Sequence, residues 1–186
     1  ASGSCARMPS CRHGPPCSIA TAGCNFTCTF CQNADISQAP RERGDWQEWA
    51  RPLSPEQVVQ GARRERCASI AYTYTEPTVF FEFAYDTAKM AHARGIRNVF
   101  VTNGYMTPEA IDMIKPYLDA ANVDLKAFTD EYYKDLCGAR LGPVQDTLRH
   151  MKAHGIFVEV TTLIVTGLND DPAELQQLAE FIAHDL

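Results

Sequence analysis

The sequence contains no apolar segment that approaches the roughly 20 residues needed for a membrane-spanning helix. It also has no excess of positive charge, because 17 Lys and Arg residues stand against 23 Asp and Glu residues, for a net charge of -6. The basic stripe typical of nucleic-acid-binding proteins is therefore missing. No export signal is present at the start, and no G-x-G-x-x-G motif follows a predicted strand, which argues against dinucleotide binding. We therefore expect a cytoplasmic protein that binds neither a membrane nor nucleic acid.

The composition is that of a globular domain. Of the 186 residues, 45% are hydrophobic and 22% are charged, and a chain of this length can bury a sizeable core. Eight of the residues are cysteines. In a reducing compartment, thiols bind metals more often than they form disulfides. We therefore expect the cysteines to serve metals rather than disulfides.

The first part of the chain differs in composition from the rest. Residues 1–16 are rich in Pro, Gly and Arg and show no hydrophobic periodicity, so we predict an irregular lead before a core domain at residues 17–186. An extra metal site is the alternative for this lead. Its candidate ligands are Cys5, Cys11, His13 and Cys17. The composition favours the irregular lead.

The clearest motif is a group of three cysteines, Cys24, Cys28 and Cys31, spaced C-x3-C-x2-C. Three thiolates on one tight loop can ligate three irons of a [4Fe-4S] cluster, which normally takes four cysteines, and one iron then stays open to a small molecule. A structural zinc site and inert packing are the alternatives. Zinc sites usually contain a second cysteine or histidine pair, whereas Cys67 and Cys137 are isolated. The motif therefore favours a cluster.

The triad and several later segments resemble the radical S-adenosylmethionine (SAM) superfamily. They resemble most the branch around the pyruvate formate-lyase activating enzymes and the radical SAM enzyme of the AmmeMemoRadiSam system. The resemblance covers about residues 18–186 and rests on residues 22–26 (AGCNF), 30–33 (FCQN), 36–37 (IS) and 74–77 (YTEP).

This resemblance implies an enzyme, classed as an oxidoreductase or lyase, with a [4Fe-4S] cluster and SAM as cofactors. Such enzymes cleave SAM reductively to a 5'-deoxyadenosyl radical, which abstracts a hydrogen atom from the substrate. The substrate is unknown; a protein is one candidate, since the nearest relatives activate glycyl-radical enzymes. A flavodoxin or ferredoxin is implied as the reductant.

The resemblance also implies roles for five further residues. Phe30 would pack against the adenine of SAM, and Glu76 would accept a hydrogen bond from its amino group. Asn103 would contact the ribose or the carboxylate. Lys126 would help to hold SAM, with Asp124 joining a monovalent-cation site. Each residue also has a structural alternative. Phe30 would pack the cysteine loop, and Glu76 would be a carboxylate at a helix N-terminus. Asn103 would form a turn, and Asp124 and Lys126 would be a solvated strand end.

The sequence departs from the family pattern at three positions. Tyr74 and Thr75 stand where the family has two glycines before Glu76. The resemblance therefore does not fix the backbone conformation of this segment. Val101 stands where the activating enzymes supply a second aspartate, so this chain has one of the two aspartates of the cation site that the resemblance implies. His92, His150 and His154 are predicted to be surface residues, and no chemistry is assigned to them.

Strands and helices are predicted to alternate along the chain. Predicted strands lie at residues 18–21, 68–74, 97–102, 121–125 and 156–165. Helices are predicted at residues 54–66, 77–95, 143–154, from 107 and from 171, with a loop at 38–52. This order indicates a parallel sheet with right-handed crossovers; a doubly wound open sheet is the alternative. The resemblance implies a partial (β/α)6 TIM-like barrel, which we expect to be truncated after the fifth βα unit.

In βα barrels the functional groups gather at the carboxyl ends of the strands, and the predicted site residues all follow strands. The function predicted is therefore that of a radical SAM enzyme. A ferredoxin-like electron carrier is one alternative, but it would need a fourth cysteine ligand. An inactive, truncated SAM-binding module is the other.

Overall fold

The computed structural model describes residues 15–42 and 52–186. Their centre is a five-stranded parallel sheet in which the strands lie in chain order. The strands are β1 (Pro16–Ile19), β2 (Ser69–Tyr72), β3 (Arg97–Thr102), β4 (Ala120–Asp124) and β5 (Phe157–Thr161). The predicted parallel α/β sheet is confirmed. The doubly wound alternative is wrong, because such sheets reverse their strand order at a switch point, whereas this order continues in one direction as in a barrel.

Helices follow the strands in the alternating pattern that the sequence predicts. They are α1 (Ala34–Ser37), α2 (Ala39–Glu42), α3 (Pro55–Arg64), α4 (Phe81–His92), α5 (Pro108–Ile114), α6 (Asp130–Tyr132), α7 (Leu141–Ala153) and α8 (Pro172–Asp185). A 3-10 turn at Pro77–Phe80 precedes α4, and a π-helix at Tyr133–Cys137 follows α6 directly. None of the helices in this described part of the chain is long and apolar enough to cross a membrane.

Local capping residues fix the starts of α3, α5 and α8. At α3, the Ser54 hydroxyl accepts a hydrogen bond from the Gln57 amide at 3.3 Å, and the Gln57 side chain accepts one from the Ser54 amide at 2.8 Å. This reciprocal pair is a capping box. Thr107 caps α5 and Asp171 caps α8, each followed by proline at the first helical position. These predicted helix starts are confirmed.

The core lies between the sheet and the helices. Tyr72 and Phe100 are partners across β2 and β3, and their rings meet edge to face at 5.3 Å. Both side chains are fully buried, as is Val123 of β4. The opposite face of the sheet carries Val101 and Asp124, which open into a cavity. Side chains alternate across a strand, so one sheet builds both the core and a cavity wall.

The structure corrects the expectation that the cysteines avoid disulfides. Strand β1 begins at Pro16, two residues earlier than predicted, so Cys17 lies inside the strand and beside Ile70 of β2. Cys67 precedes β2, and the two cysteines form a disulfide with a Cα–Cα distance of 5.8 Å, within the usual range. Cys17 is therefore not free for the alternative N-terminal metal site. The other ligands considered for that site, Cys5, Cys11 and His13, lie outside the described residues.

Several other predicted boundaries differ from the structure. The helix predicted at residues 77–95 is a 3-10 turn followed by α4, which ends at His92. The loop expected at residues 38–52 begins with helix α2, while residues 43–51 lie outside the described part. Strand β5 ends at Thr161, short of the predicted residue 165. The sequence also gave no sign of α6 and the π-helix that follows it. The polar composition of residues 38–42 suggested a loop, but two of their side chains bind the cysteine loop, as described below.

Candidate functional site

A cavity of about 320 Å³ opens at the carboxyl ends of β2, β3 and β4. Seven of the eight predicted site residues line it: Cys24, Cys28, Phe30, Cys31, Asn103, Asp124 and Lys126. Glu76 is the exception and lies behind the wall. Residues far apart in sequence therefore meet at one rim, as the carboxyl ends of parallel strands require.

The cysteine loop, residues 23–33, is held from one side by the segment of α1 and α2. Arg41 donates a hydrogen bond to the Cys24 carbonyl at 3.1 Å. Gln38 donates one to the Phe26 carbonyl at 3.2 Å and accepts one from Arg41 at 2.8 Å. Gly23, with φ of 104°, turns the chain so that its amide reaches the Ile36 carbonyl at 3.0 Å. The sequence missed the role of Gln38 and Arg41 because it depends on contacts between separate segments.

The π-helix holds the loop from a second side. The Thr27 amide donates to the Cys137 carbonyl at 3.0 Å, and the Thr29 amide donates to the Leu136 carbonyl at 2.9 Å. Gly138 ends the π-helix with φ of 67°, and a Cβ at this position would overlap the Thr27 hydroxyl. The close approach of the two segments therefore requires glycine.

The thiols of the triad are in different electrostatic surroundings. A hydrogen bond from the buried Cys137 thiol lowers the pKa of Cys28, and the positive charge of Lys126 acts in the same direction. Burial instead raises the pKa of Cys24. The thiolate is the form that binds metals, so the surroundings favour the ligand form at Cys28. No motif in the sequence indicated that Cys137 lies beside it.

Glu76 is fully buried and uses both carboxylate oxygens within the protein. One oxygen accepts hydrogen bonds from the Thr78 amide at 3.1 Å, the Thr78 hydroxyl at 2.6 Å and the Thr102 hydroxyl at 2.7 Å. The other accepts one from the Asn103 amide at 2.8 Å. Burial raises the pKa of Glu76, although these four donors oppose the shift. The carboxylate therefore joins the turn after β2 to the end of β3.

Asn103 connects the end of β3 to the cysteine loop. Its side-chain amide donates to the Asn25 side chain at 2.6 Å and lies 3.7 Å from the Cys24 sulfur. Its side-chain oxygen accepts a hydrogen bond from the Tyr105 amide at 2.9 Å. With Glu76 behind it, Asn103 forms the third support of the loop.

Lys126 and Asp124 form an ion pair of 3.0 Å in the cavity wall. The Lys126 side chain is only 16% exposed. Burial lowers the pKa of Lys126, but attraction and hydrogen bonding to Asp124 outweigh it, so the pKa lies above its ordinary value. The cavity wall therefore contains a lysine held in its charged form near Cys28.

The two remaining predicted features lie at the cavity mouth. The Phe30 ring packs against Tyr132 with centroids 5.7 Å apart and also lines the cavity. The peptide bond between Tyr74 and Thr75 is cis, and the Thr75 hydroxyl donates to the Gly23 carbonyl. The segment that replaces the two family glycines therefore also contacts the cysteine loop.

The family model of the radical SAM superfamily matches residues 18–182. The chain belongs to the radical SAM superfamily. Members of this family use a [4Fe-4S] cluster and SAM, and the donors at this cavity, three thiols beside a lysine and an asparagine, suit those groups. The predicted radical SAM membership and partial barrel are confirmed.

Several known proteins are similar to this chain. The chain is 43% identical over 169 residues to the uncharacterised protein MJ0808 of Methanocaldococcus jannaschii, covering 91% of this chain and 49% of that protein. It is 23% identical over 167 residues to the pyruvate formate-lyase-activating enzyme of Clostridium pasteurianum, covering 86% of this chain and 66% of that enzyme. The fold is also similar to that of SuiB of Streptococcus suis, solved with its precursor peptide SuiA. The TM-score is 0.71 at 13% identity, and the match covers 93% of this chain and 38% of SuiB. The chain spans about half the length of the first curated relatives it matches.

The contact between Gly138 and Thr27 predicts a larger stability loss than positive φ alone would cause. Gly155 has a similar φ of 76°, but a Cβ there would meet nothing within 4 Å. We expect Gly155→Ala to lower the free energy of unfolding by about 1–2 kcal/mol. Gly138→Ala should lower it by about 2–4 kcal/mol, since overlap with Thr27 is added. Urea unfolding measures both, and equal losses would contradict the contact.

The hydrogen bonds of Glu76 predict that the amide cannot replace the carboxylate. In Glu76→Gln one of the four donors would face an NH2 group, so we expect the free energy of unfolding to fall by about 1–3 kcal/mol. Glu82→Gln, on the exposed face of α4, is the matched control and should be within about 0.5 kcal/mol of the unchanged protein. A Glu76→Gln protein as stable as the control would show that these bonds contribute little.

Proposed function

We propose that this chain forms the core of a radical SAM enzyme, with Cys24, Cys28 and Cys31 as ligands of a [4Fe-4S] cluster. The observation that carries the proposal is the convergence of the three thiols with Asn103 and Lys126 on one cavity at the strand ends. In this assignment residues 1–16 are a lead and residues 17–186 are a partial radical SAM core domain.

The spacing of the sulfur atoms supports a cluster over a single zinc ion. Tetrahedral zinc with Zn–S bonds of about 2.3 Å holds its sulfurs about 3.8 Å apart. The sulfurs of Cys24, Cys28 and Cys31 do not all lie within 4.8 Å of one another. A cubane cluster, which carries its ligands on separate corners, suits this wider arrangement.

A [4Fe-4S] cluster held by Cys24, Cys28 and Cys31 would supply the electron for the reductive cleavage of SAM. The protein's part is to bind and orient SAM. Lys126 offers a fixed positive charge for the SAM carboxylate, and Phe30 offers an aromatic face for the adenine. Asn103 supplies a polar contact at the rim. A contact between Glu76 and the SAM ammonium remains part of this proposal. Because Glu76 is fully buried behind the cavity wall and accepts a hydrogen bond from the Asn103 amide, we assign it the additional task of positioning Asn103.

The proposed substrate is a protein or peptide. Two of the curated relatives are named as activating enzymes of pyruvate formate-lyase and benzylsuccinate synthase, and SuiB has been solved with a precursor peptide. A flavodoxin or ferredoxin is the proposed reductant. Hydrogen abstraction from the substrate is the proposed reaction, in the oxidoreductase or lyase class.

The electron-carrier alternative depends on a fourth thiol ligand. Cys137 is the thiol beside Cys28, but it is fully buried and does not line the cavity. Among the residues that the structure describes, Cys137 is the thiol that a carrier would need as a fourth ligand, whereas the proposed enzyme leaves it free. The inactive-module alternative shares the cluster and SAM site and differs only in lacking cleavage.

The ligand assignment predicts a selective loss of iron. Anaerobic reconstitution should give about four irons per chain, and alanine at Cys24, Cys28 or Cys31 should abolish the cluster absorbance. Cys137→Ala and Cys67→Ala are matched controls and should keep the iron count, since neither is a proposed ligand. Iron analysis and the visible spectrum measure this. An unchanged count in Cys28→Ala would refute the assignment, and loss in Cys137→Ala would favour the carrier.

The SAM site predicts formation of 5'-deoxyadenosine by the reduced, reconstituted protein. Lys126→Met should weaken SAM binding on the order of tenfold or more, because a charge-assisted hydrogen bond contributes about 1.5–3 kcal/mol. Lys89→Met, on the exposed side of α4, should bind SAM as the unchanged protein does. Chromatography detects the nucleoside, and equilibrium dialysis measures SAM binding. An intact cluster without cleavage would favour the inactive module.

A further inference from the structure

A second group of possible metal ligands lies on the outer helices, away from the cysteine loop. Helices α5 and α7 pack together, and Asp112 of α5 faces His150 of α7 and His154, the residue that follows α7. The Asp112 Oδ1 atom lies 3.2 Å from His150 Nε2 and 3.3 Å from His154 Nε2. Within residues 15–42 and 52–186, this is the only set of three such side chains whose ligand atoms all lie within 4.8 Å of one another.

Helix geometry brings the two imidazoles together. His150 and His154 are four residues apart, so they project from the same side of the helix. Their ring centroids are 4.5 Å apart, and the Nε2 atoms of both rings approach the same oxygen of Asp112. The two rings and the carboxylate therefore point at a common position between α5 and α7.

The spacing of the three atoms suits a small tetrahedral metal ion. Zinc binds histidine nitrogen at about 2.0–2.1 Å and carboxylate oxygen at about 2.0–2.2 Å, so tetrahedral ligand atoms lie roughly 3.3–3.5 Å apart. The observed separations of 3.2 and 3.3 Å are close to this range. Two imidazoles and one carboxylate are also a donor set that zinc accepts.

We propose that Asp112, His150 and His154 form a zinc site that links α5 to α7, with the fourth tetrahedral position left to water or a small ligand. A cavity of about 490 Å³ lies between the same helices, and His150 is part of its wall. The Asp112 side chain is 49% exposed, so water can reach the metal position from solvent.

Lys115 competes with the metal at this site. Its ammonium lies 2.8 Å from Asp112 Oδ1 and 3.5 Å from His154 Nδ1. Lys115 and His150 both lie within hydrogen-bond distance of the same Asp112 oxygen, the one that would bind zinc. The Lys115 side chain is 35% exposed, and it can move into solvent when zinc takes its place. Removing this lysine should therefore strengthen zinc binding.

Zinc titration tests the site independently of the iron–sulfur assignment. We would use the full chain with serine at Cys5, Cys11, Cys24, Cys28 and Cys31, so that zinc can bind neither the N-terminal cysteines nor the cysteine loop. Competition with a chromophoric chelator should show one zinc ion per chain. Asp112→Asn and His154→Gln should each weaken binding by at least about tenfold. His92→Gln, on α4, is the matched control and should bind unchanged.

Two further measurements separate this site from adventitious binding. X-ray absorption of the bound zinc should show a shell of nitrogen and oxygen at about 2.0–2.1 Å with no sulfur. The protein with Lys115→Met should bind zinc more tightly than the protein that keeps Lys115. The proposal would be overturned by a sulfur shell around the zinc or by unchanged affinity in His154→Gln. Absence of binding at zinc concentrations up to about 100 μM would also overturn it. Loss of the cluster in the cysteine variants has no bearing on these outcomes.

Discussion

The position of the cysteine loop depends on hydrogen bonds that reach it from other parts of the chain. The loop contains almost no regular structure, so its backbone groups must find partners elsewhere. Arg41 and Gln38 bind its carbonyls, the π-helix accepts its amides, and Asn103 contacts its side chains. Three supports from three directions define where the thiols point. A cluster site needs thiols that are held in defined positions, because all three must bind the same cluster.

Glu76 extends this network into the barrel. A buried carboxylate is costly to desolvate unless hydrogen bonds compensate, and Glu76 receives four. Two of them come from the turn after β2 and two from the end of β3. Because Asn103 is both a donor to Glu76 and a partner of Asn25, a change at the carboxylate reaches the cysteine loop through one intermediate residue. The strand ends and the cysteine loop therefore belong to one hydrogen-bond network.

The sequence was most informative where local chemistry decides the structure. The serine and glutamine of the α3 capping box, and the run of β-branched and aromatic residues in β3, act over a few residues, and both predictions are confirmed. The alternation of strands and helices was sufficient to predict the parallel sheet. The triad was found for the same reason, because its three thiols lie within eight residues.

Features that depend on distant contacts escaped prediction. Cys17 and Cys67 meet only because β1 pairs with β2, 50 residues further along the chain. The contact of Cys137 with Cys28 depends on the π-helix, whose residues carry no distinctive pattern. Asp112 is 38 residues from His150, and nothing in the sequence relates the two. In each case the packing of separate elements, rather than a motif, creates the relationship.

The separation between the triad and its supports has a consequence for assembly during translation. The thiols leave the ribosome first, whereas Asn103 follows Asn25 by 78 residues and the π-helix follows later still. At ordinary elongation rates this delay is on the order of 10 s. The nascent loop lacks two of its three supports throughout that interval, so an iron-loading machinery would meet a correctly shaped acceptor only after most of the barrel has been synthesised.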